Sequence, residues 1–318
     1  MTLNDMTILL TAIGSFSADC VVASLKRAGC RVVGCDIYPS EWHAVSMDCD
    51  KVYQVPLALT PEYIPALLDI CRNERITHLF PLTDLEIDVL RQHRDVFERQ
   101  SIKLCIQSEK CLDIARDKYK QSLVFLDDSI VKTPRTVLAD GDISMLNLPL
   151  VAKPLNGRSS EGLMFLENES DVNRIREKKC YLIQETIPGS VFTVDYARDD
   201  YGNDFAVPRE ELLRTKNGAG LTVRINPDIS LQQMVSYIGA KLGVIGCVNM
   251  EFIYDGKYYY LIDINPRFSA GVAFSHLAGY DMVLSHLNAF NGKPILPSVN
   301  FEACIMSKRY SEVKICLK

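Results

Sequence analysis

Three oxygen-bearing side chains, Glu251, Asp263 and Asn265, lie close together in the stretch CVNMEFIYDGKYYYLIDINPRFSAG over residues 247–271. Carboxylate and amide oxygens are the ligands that a hard cation such as Mg2+ takes. Two β-rich runs flank Asp255-Gly256, a hairpin turn signal. Side chains alternate along a strand, so the turn length decides whether the acids meet. A two-residue turn sets Glu251 and Asp263 on opposite faces. A three-residue turn over 255–257 pairs Tyr254 with Tyr258 and places Asn249, Glu251, Leu261, Asp263 and Asn265 on one face. Glu251 and Asp263 are then diagonal neighbours about 7–8 Å apart, with room for one or two metal ions. We expect that turn or an equivalent bulge. The competing reading is a surface hairpin with incidental acids. Against it, turning Asp263 inward among Leu261, Ile262 and Ile264 would bury an unpaired carboxylate.

A second group sits upstream. Residues 150–154 (LVAKP) read as a strand with Lys153 near its end, followed by NGRSSEG and a further strand over 163–166. A loop rich in glycine and serine offers N–H groups and hydroxyls to phosphate oxygens, and Lys153 adds a point charge beside it. It is not a P-loop, because the lysine precedes the glycines. The alternative is a solvated hairpin built of ordinary turn residues. Arg209, Arg214 and Lys216 precede Gly218-Ala219-Gly220; by themselves such charges read as a solvated face.

The elements that must position these groups begin with a βαβ pattern: a buried strand over 7–12, a helix over 18–28 closed by Gly29, and a strand over 31–35. Asp36 stands where a ribose-binding acid could be, but the loop has Gly14 alone and lacks the glycines of a dinucleotide site. A short strand over 50–55, a helix over 61–74 and a strand over 76–81 follow. Thr83 to Glu86 fits a capping box, and Asp84 lies at the carboxyl end of a strand, where open α/β sheets bind ligands. Residues 1–108 read as a small doubly wound α/β unit. A charged helical segment is expected over 109–125, strands over 181–185 and 191–197, and helices over 230–242 and near 281–290. No chemistry is assigned to 295–318.

The chain has 318 residues, 47% hydrophobic and 24% charged, as a globular protein of two or three domains has. A net charge of −5 gives no general attraction to nucleic acid or anionic membranes. Eleven cysteines without Cys-x-x-Cys or zinc spacing point to reduced thiols in a cytoplasmic setting. The start has neither signal-peptide character nor a transmembrane run.

In order, over about residues 1–295, these features resemble the ATP-grasp superfamily, most closely the synthetase units of the carbamoyl-phosphate synthetase large chain and short proteins related to them. The resemblance implies an N-terminal Rossmann-like, pre-ATP-grasp α/β domain (1–108) followed by a two-lobed α+β ATP-grasp fold, lobe A over 109–180 and lobe B over 181–318. It implies ATP and Mg2+ (or Mn2+) as cofactors. Lys118 and Lys153 would contact the phosphates, and Gly157, Ser159, Ser160 and Gly162 would form the phosphate lid. Gln184, Glu185, Thr186 and Ile187 would form the hinge at adenine. Glu251, Asp263 and Asn265 would hold the metal, while Arg267 and, less securely, Arg209 and Arg214 would meet the transferring phosphate or substrate anion. Arg158 replaces a usual lid glycine, and Val191 replaces a ribose-binding glutamate, which leaves ribose to Asp195 or to no residue. Asp263 replaces the commoner glutamate. The implied activity is an ADP-forming carboxylate–amine ligase acting on small molecules, with a homodimer as a possible assembly. The alternatives are phosphorylation of bicarbonate or carbamate, and an ATP-binding protein without ligase activity.

Overall fold

The computed structural model describes residues 2–157 and 161–315. The N-terminal βαβ forms as its pattern requires. Strand β1 (Thr7–Thr11) is buried along its apolar run. Helix α1 (Ala18–Arg27) covers Val21, Val22 and Leu25 and stops just before Gly29, whose φ of +87° favours glycine. Then follow β2 (Arg31–Asp36), β3 (Lys51–Gln54), α2 (Tyr63–Glu74), β4 (His78–Phe80), α3 (Asp84–Leu90), α4 (Arg94–Arg99) and β5 (Lys103–Leu104). The strands form a parallel sheet of order β3-β2-β1-β4-β5, a doubly wound unit. The Asp36 carboxylate accepts from the N–H of Gly14 at 2.9 Å and of Tyr38 at 3.1 Å, shaping the loop after β1.

The helical segment expected over 109–125 is two helices, α5 (Glu109–Ala115) and α6 (Lys118–Val124). Asp117 breaks it, because its carboxylate accepts from the N–H groups of Tyr119 and Lys120, both at 3.0 Å, as an N-cap does. A four-stranded antiparallel sheet of order β6-β9-β7-β8 follows, built from β6 (Thr136–Leu138), β7 (Leu150–Pro154), β8 (Met164–Leu166) and β9 (Tyr181–Glu185). Helix α7 (Glu169–Arg176), which the sequence reading lacked, packs Val172 and Ile175 beneath it. The lobe boundary expected at 180 is corrected by this pairing: β9 bonds to β6 and β7 and belongs to the smaller sheet. Residues 109–125 move the other way, since Cys111, Ala115 and Phe125 pack with Val194, Met250 and Leu261 of the larger sheet.

That larger sheet holds β10 (Ser190–Arg198), β11 (Asp204–Arg214), β12 (Gly220–Ile225), β13 (Gly246–Tyr254) and β14 (Tyr259–Asn265). Helix α8 (Ile229–Leu242) covers one face, capped by Asp228 and ended by Gly243 at φ +66°. After β14 come α9 (Val272–Leu277), α10 (Met282–Phe290) and β15 (Cys304–Ser307), giving the order β14-β13-β10-β11-β12-β15. One core joins the N-terminal unit to this sheet, with Ile8, Val22 and Leu25 in the same cluster as Val207, Cys247 and Val283. Ser24 on α1 donates to the Asp281 carboxylate that caps α10, at 2.6 Å. Among the described residues no helix is long and apolar enough to cross a membrane.

Helix α8 lies close on its sheet because Gly239 has no side chain: a Cβ there would stand 2.2–2.5 Å from the Tyr196 ring and hydroxyl. Tyr196 is fully buried, and its hydroxyl donates to Asp204 at 2.8 Å, so it cannot retreat cheaply. Gly239→Ala should therefore lower stability by about 1–3 kcal/mol despite alanine's better helix propensity, read from urea unfolding.

Candidate active site

The β13–β14 hairpin does bring the acids onto one face, by a route that differs in detail from the sequence reading. The turn spans four residues rather than three: Tyr254 pairs with Tyr259, and Asp255 accepts from the N–H groups of Lys257 at 2.8 Å and Tyr258 at 2.7 Å. A bulge between Phe252 and Glu251 then shifts the register by one residue. Glu251 consequently stands directly opposite Asp263, and Asn249 opposite Asn265, instead of diagonally. Leu261 is turned to the covered face opposite Phe252, where both are buried. The same rows continue across the sheet. Thr193 pairs with Glu251 and Arg209, while Asp195 pairs with Asn249.

Each acid in these rows meets a cation from another segment. Lys118, the first residue of α6, donates to Asp263. Arg214 reaches Glu251 at 3.2 Å and donates to the Gly218 carbonyl at 2.7 Å. Arg209, 1% exposed, binds the fully buried Asp195 at 2.7 Å, Glu211 at 3.3 Å and the Ser269 hydroxyl at 3.0 Å. Asp195 also accepts from Ser275 at 2.6 Å. This corrects the expectation that Asp195 meets ribose: it has no exposure, and it is the counterion of Arg209.

The N-terminal unit supplies the opposite wall. Arg267 clasps Asp84, at the start of α3, through Nε at 3.0 Å and Nη2 at 2.7 Å, and also reaches Asn265 Oδ1 at 3.3 Å. Burial acts to raise the Asp84 pKa, but the Arg267 and Arg116 guanidinium groups outweigh it and hold the carboxyl below the usual range. Between the walls lies a cleft of about 580 Å³. Its lining includes the loop after β1 (14–17), the loop after β4 (82–85), the 217–220 turn and the hairpin face with Glu251, Asp263, Asn265 and Arg267.

The remaining predicted residues cluster on the smaller sheet. Lys153 donates to Gln184 Oε1 at 2.9 Å, and Gln184 donates to Thr136 at 2.8 Å. Burial and then the Lys118 ammonium push the Lys153 pKa down to about 8, against the pull of Asp263 and Glu251, so this lysine faces the hairpin acids. Glu185 accepts from the Arg135 N–H at 2.8 Å, Ile187 is half-buried, and the Thr186 hydroxyl is buried without a partner among the described residues. Gly162 has φ +72°, and a Cβ there would meet the Tyr181 hydroxyl at 2.7 Å. Gly157 sits against Pro154. Ser159 and Ser160, with Arg158, lie outside the described residues.

The donor set suits Mg2+. Among the described residues no group of three or more His, Cys, Asp or Glu could hold a metal. Two facing carboxylates and an amide are what Mg2+ uses when phosphates supply the rest of its shell.

A family model for the PylC-like N-terminal domain matches residues 8–105, and one for the ATP-grasp domain matches residues 115–271. This chain is an ATP-grasp protein. It is 22% identical over 292 residues to the carbamoyl phosphate synthase large chain of Thermoplasma volcanium, which covers 83% of this chain and 28% of that one. The chain thus spans about a quarter of that relative's length. The biotin carboxylase of Campylobacter jejuni, solved as a β,γ-ATP complex, superposes with a TM-score of 0.79 at 17% identity, covering 94% of this chain and 73% of the other. The Hydrogenobacter thermophilus 2-oxoglutarate carboxylase biotin carboxylase domain, a dimer with MgADP, ADP and bicarbonate, gives 0.76 at 18% identity, covering 92% and 71%. These likenesses are of fold: the ATP-grasp protein has the two-lobed fold behind an N-terminal α/β domain.

Sequence reasoning passed over Thr193 and Glu211, both on the cleft wall. Arg209 and Glu211 sit two apart in PREELLR, a spacing that sends both to one face, but a charged run ordinarily marks solvent. Two outcomes follow from the geometry. Arg209→Met strips the buried Asp195 of its counterion and should cost about 3–5 kcal/mol in chemical unfolding. Lys153 releases its proton near pH 8 when folded and near its ordinary value of 10.5 when unfolded. Across that window the unfolded chain binds more protons, so stability relative to Lys153→Met should rise with pH from about 8 to about 10. Denaturant melts of both proteins across that range check the sign.

Proposed function

We propose that this ATP-grasp protein is an ATP- and Mg2+-dependent ligase that activates a carboxylate as an acyl phosphate, releases ADP and transfers the acyl group to an amine. The facing of Glu251 and Asp263 at the cleft, with Lys118 in contact and Lys153 within electrostatic range, carries this reading. Glu251, Asp263 and Asn265 would hold the metal. When bound, Mg2+ (or Mn2+) would supply neutralisation of phosphate charge. Lys118 and Lys153 would orient the phosphates, with the 157–162 loop, including Ser159 and Ser160, as their cover and residues 184–187 beside the base. The acid's carboxylate oxygen attacks the γ-phosphorus as the bond to ADP breaks. The amine nitrogen then attacks the acyl carbon, and phosphate leaves. Arg267 and Arg214 would offset charge as it develops on the transferring group. Arg209, buried beneath them, would fix the wall they stand on. Such chemistry needs positioning and charge neutralisation rather than a covalent nucleophile, and closure over the cleft would protect the acyl phosphate from water.

A second reading takes bicarbonate as the acid. The carbamoyl phosphate synthase relatives and the Hydrogenobacter domain holding MgADP and bicarbonate favour it. Bicarbonate-stimulated ADP release with no organic acid present would select it.

The decisive measurement is thermal unfolding with Mg2+ and a non-hydrolysable ATP analogue. At about 100 times Kd the ligand should add roughly 2.7 kcal/mol of stability to the wild type. Asp263→Asn should lose the Mg2+-dependent part of that gain and with it substrate-dependent ADP release. No shift in folded wild type, or an undiminished Mg2+-dependent shift in Asp263→Asn, would remove the assignment.

A further inference from the structure

Two buried polar atoms on the cleft wall have no hydrogen-bond partner among the described residues: Glu211 Oε2 and Thr193 Oγ1. The Glu211 side chain is 2% exposed and Thr193 is 3% exposed. They flank Arg209. Thr193 pairs with it across β10 and β11, and Glu211 lies two residues along the same strand, so all three face the cleft. A buried carboxylate oxygen left without a donor loses its hydration for no return. The neighbouring cations do not supply the donor. Arg209 spends one end of its guanidinium on Asp195 and another on Ser269, and meets only Oε1 of Glu211 at 3.3 Å. Lys308, delivered by the segment after β15, donates to the Ala270 carbonyl at 2.9 Å. One guanidinium therefore serves two carboxylates, and Lys308, although within electrostatic range of Glu211, gives its hydrogen bond to the Ala270 carbonyl, so Oε2 has no donor among the described residues.

Glu211 lines the cleft beside the 217–220 turn, and its carboxylate rests against Gly220. A Cβ on Gly220 would lie 2.3 Å from Glu211 Oε2, so any other residue there would push the carboxylate aside. Gly220 has no positive φ that would demand glycine on backbone grounds.

We propose that Glu211 and Thr193 form the receptor for a primary amine, binding its ammonium form through Glu211 Oε2 and an N–H to Thr193 Oγ1, and so select the nucleophile of the ligase. This rests on the ligase reading above for the amine's role, though not for its binding. An ammonium group supplies several charged donors to the carboxylate oxygen and the hydroxyl at once, which an alcohol or a thiol does not. The site lies on the part of the cleft shared with the N-terminal loops 14–17 and 82–85, apart from the lysine and hinge residues of the smaller sheet.

Calorimetric titration of the full chain tests it, with and without Mg2+ and the ATP analogue. The probes are glycinamide and the common L-amino acids, each beside its deamino counterpart. We expect at least one amine to bind tenfold or more tightly than its deamino counterpart. Glu211→Gln should reduce that preference at least tenfold, and Thr193→Val should weaken it further in the same direction. Gly220→Ala, which leaves both side chains in the chain but crowds the carboxylate, should mimic Glu211→Gln even if that variant folds poorly. The nucleotide-induced shift should persist in all three variants. No amine preference in the wild type, or a preference unchanged in Thr193→Val and Gly220→Ala, overturns the proposal. Loss of nucleotide binding in the wild type would instead sink the ligase reading and leave the amine titration standing.

Discussion

Clustered carboxylates at one end of the large sheet set the terms for everything around them. Asp263, Glu251 and Asp195 project from neighbouring strands, and Asp84 faces them from the other domain. At an effective dielectric of about 20, two like charges about 4 Å apart repel by roughly 4 kcal/mol. The chain answers with a cation for each of these four acids, drawn from an element other than the acid's own: Lys118 for Asp263, Arg214 for Glu251, Arg209 for Asp195 and Arg267 for Asp84. None of the four pairs lies within one element. The charge requirement therefore ties α6, the end of β11, the segment after β14 and the start of α3 to the same small volume. The Arg267–Asp84 pair in particular fixes how the N-terminal unit faces the sheet.

The pairs differ in what they permit. Arg209 and Asp195 are sealed from water, and breaking them leaves an uncompensated buried charge. Lys118–Asp263 and Arg214–Glu251 are partly open, with side chains 14–25% exposed. In the ligase reading these two are the exchangeable ones. A divalent cation on Glu251 and Asp263 would displace Lys118 and Arg214, and phosphate oxygens would take both up again. The exchange would leave each acid and each cation with an opposite charge beside it and needs only side-chain motion, because Lys118 starts a capped helix and Arg214 ends a strand. Lys153, whose pKa burial and Lys118 lower to about 8, would be held more firmly in its charged form beside phosphate oxygens.

The sequence made much of this legible because parity and capping are local rules. The hairpin acids had to share a face, and they do, although a four-residue turn plus a bulge replaced the simple turn. A bulge inserts no recognisable residue type, so Leu261 could not be told apart from its neighbours by pattern. The helix break at Asp117 was written in the Asp itself, which prefers to cap rather than continue. What stayed hidden depended on contacts distant in the chain. Sheet membership of β9 needs its partners β6 and β7. Asp195 looked available for ribose until Arg209, Ser275 and Asn249 were seen closing over it. Glu211 sat in a charged run that reads as solvent-facing, and only the strand pairing turns it inward.

Two independent rules place the cleft where it is. In an open parallel sheet, ligands bind beyond the carboxyl ends of the strands at the point where strand order reverses. In the order β3-β2-β1-β4-β5 that point lies between β1 and β4, and the loops after those two strands, 14–17 and 82–85, line the cleft. The second rule is the row of polar side chains that alternation forces onto one face of β14, β13, β10 and β11. Residues of both domains line the cleft. The N-terminal loops offer backbone and hydroxyl groups but few charges, while the sheet offers charges but no opposite wall. A ligand held between them must satisfy both, so changes in the short N-terminal loops can alter which molecule fits without disturbing the acids and cations of the sheet.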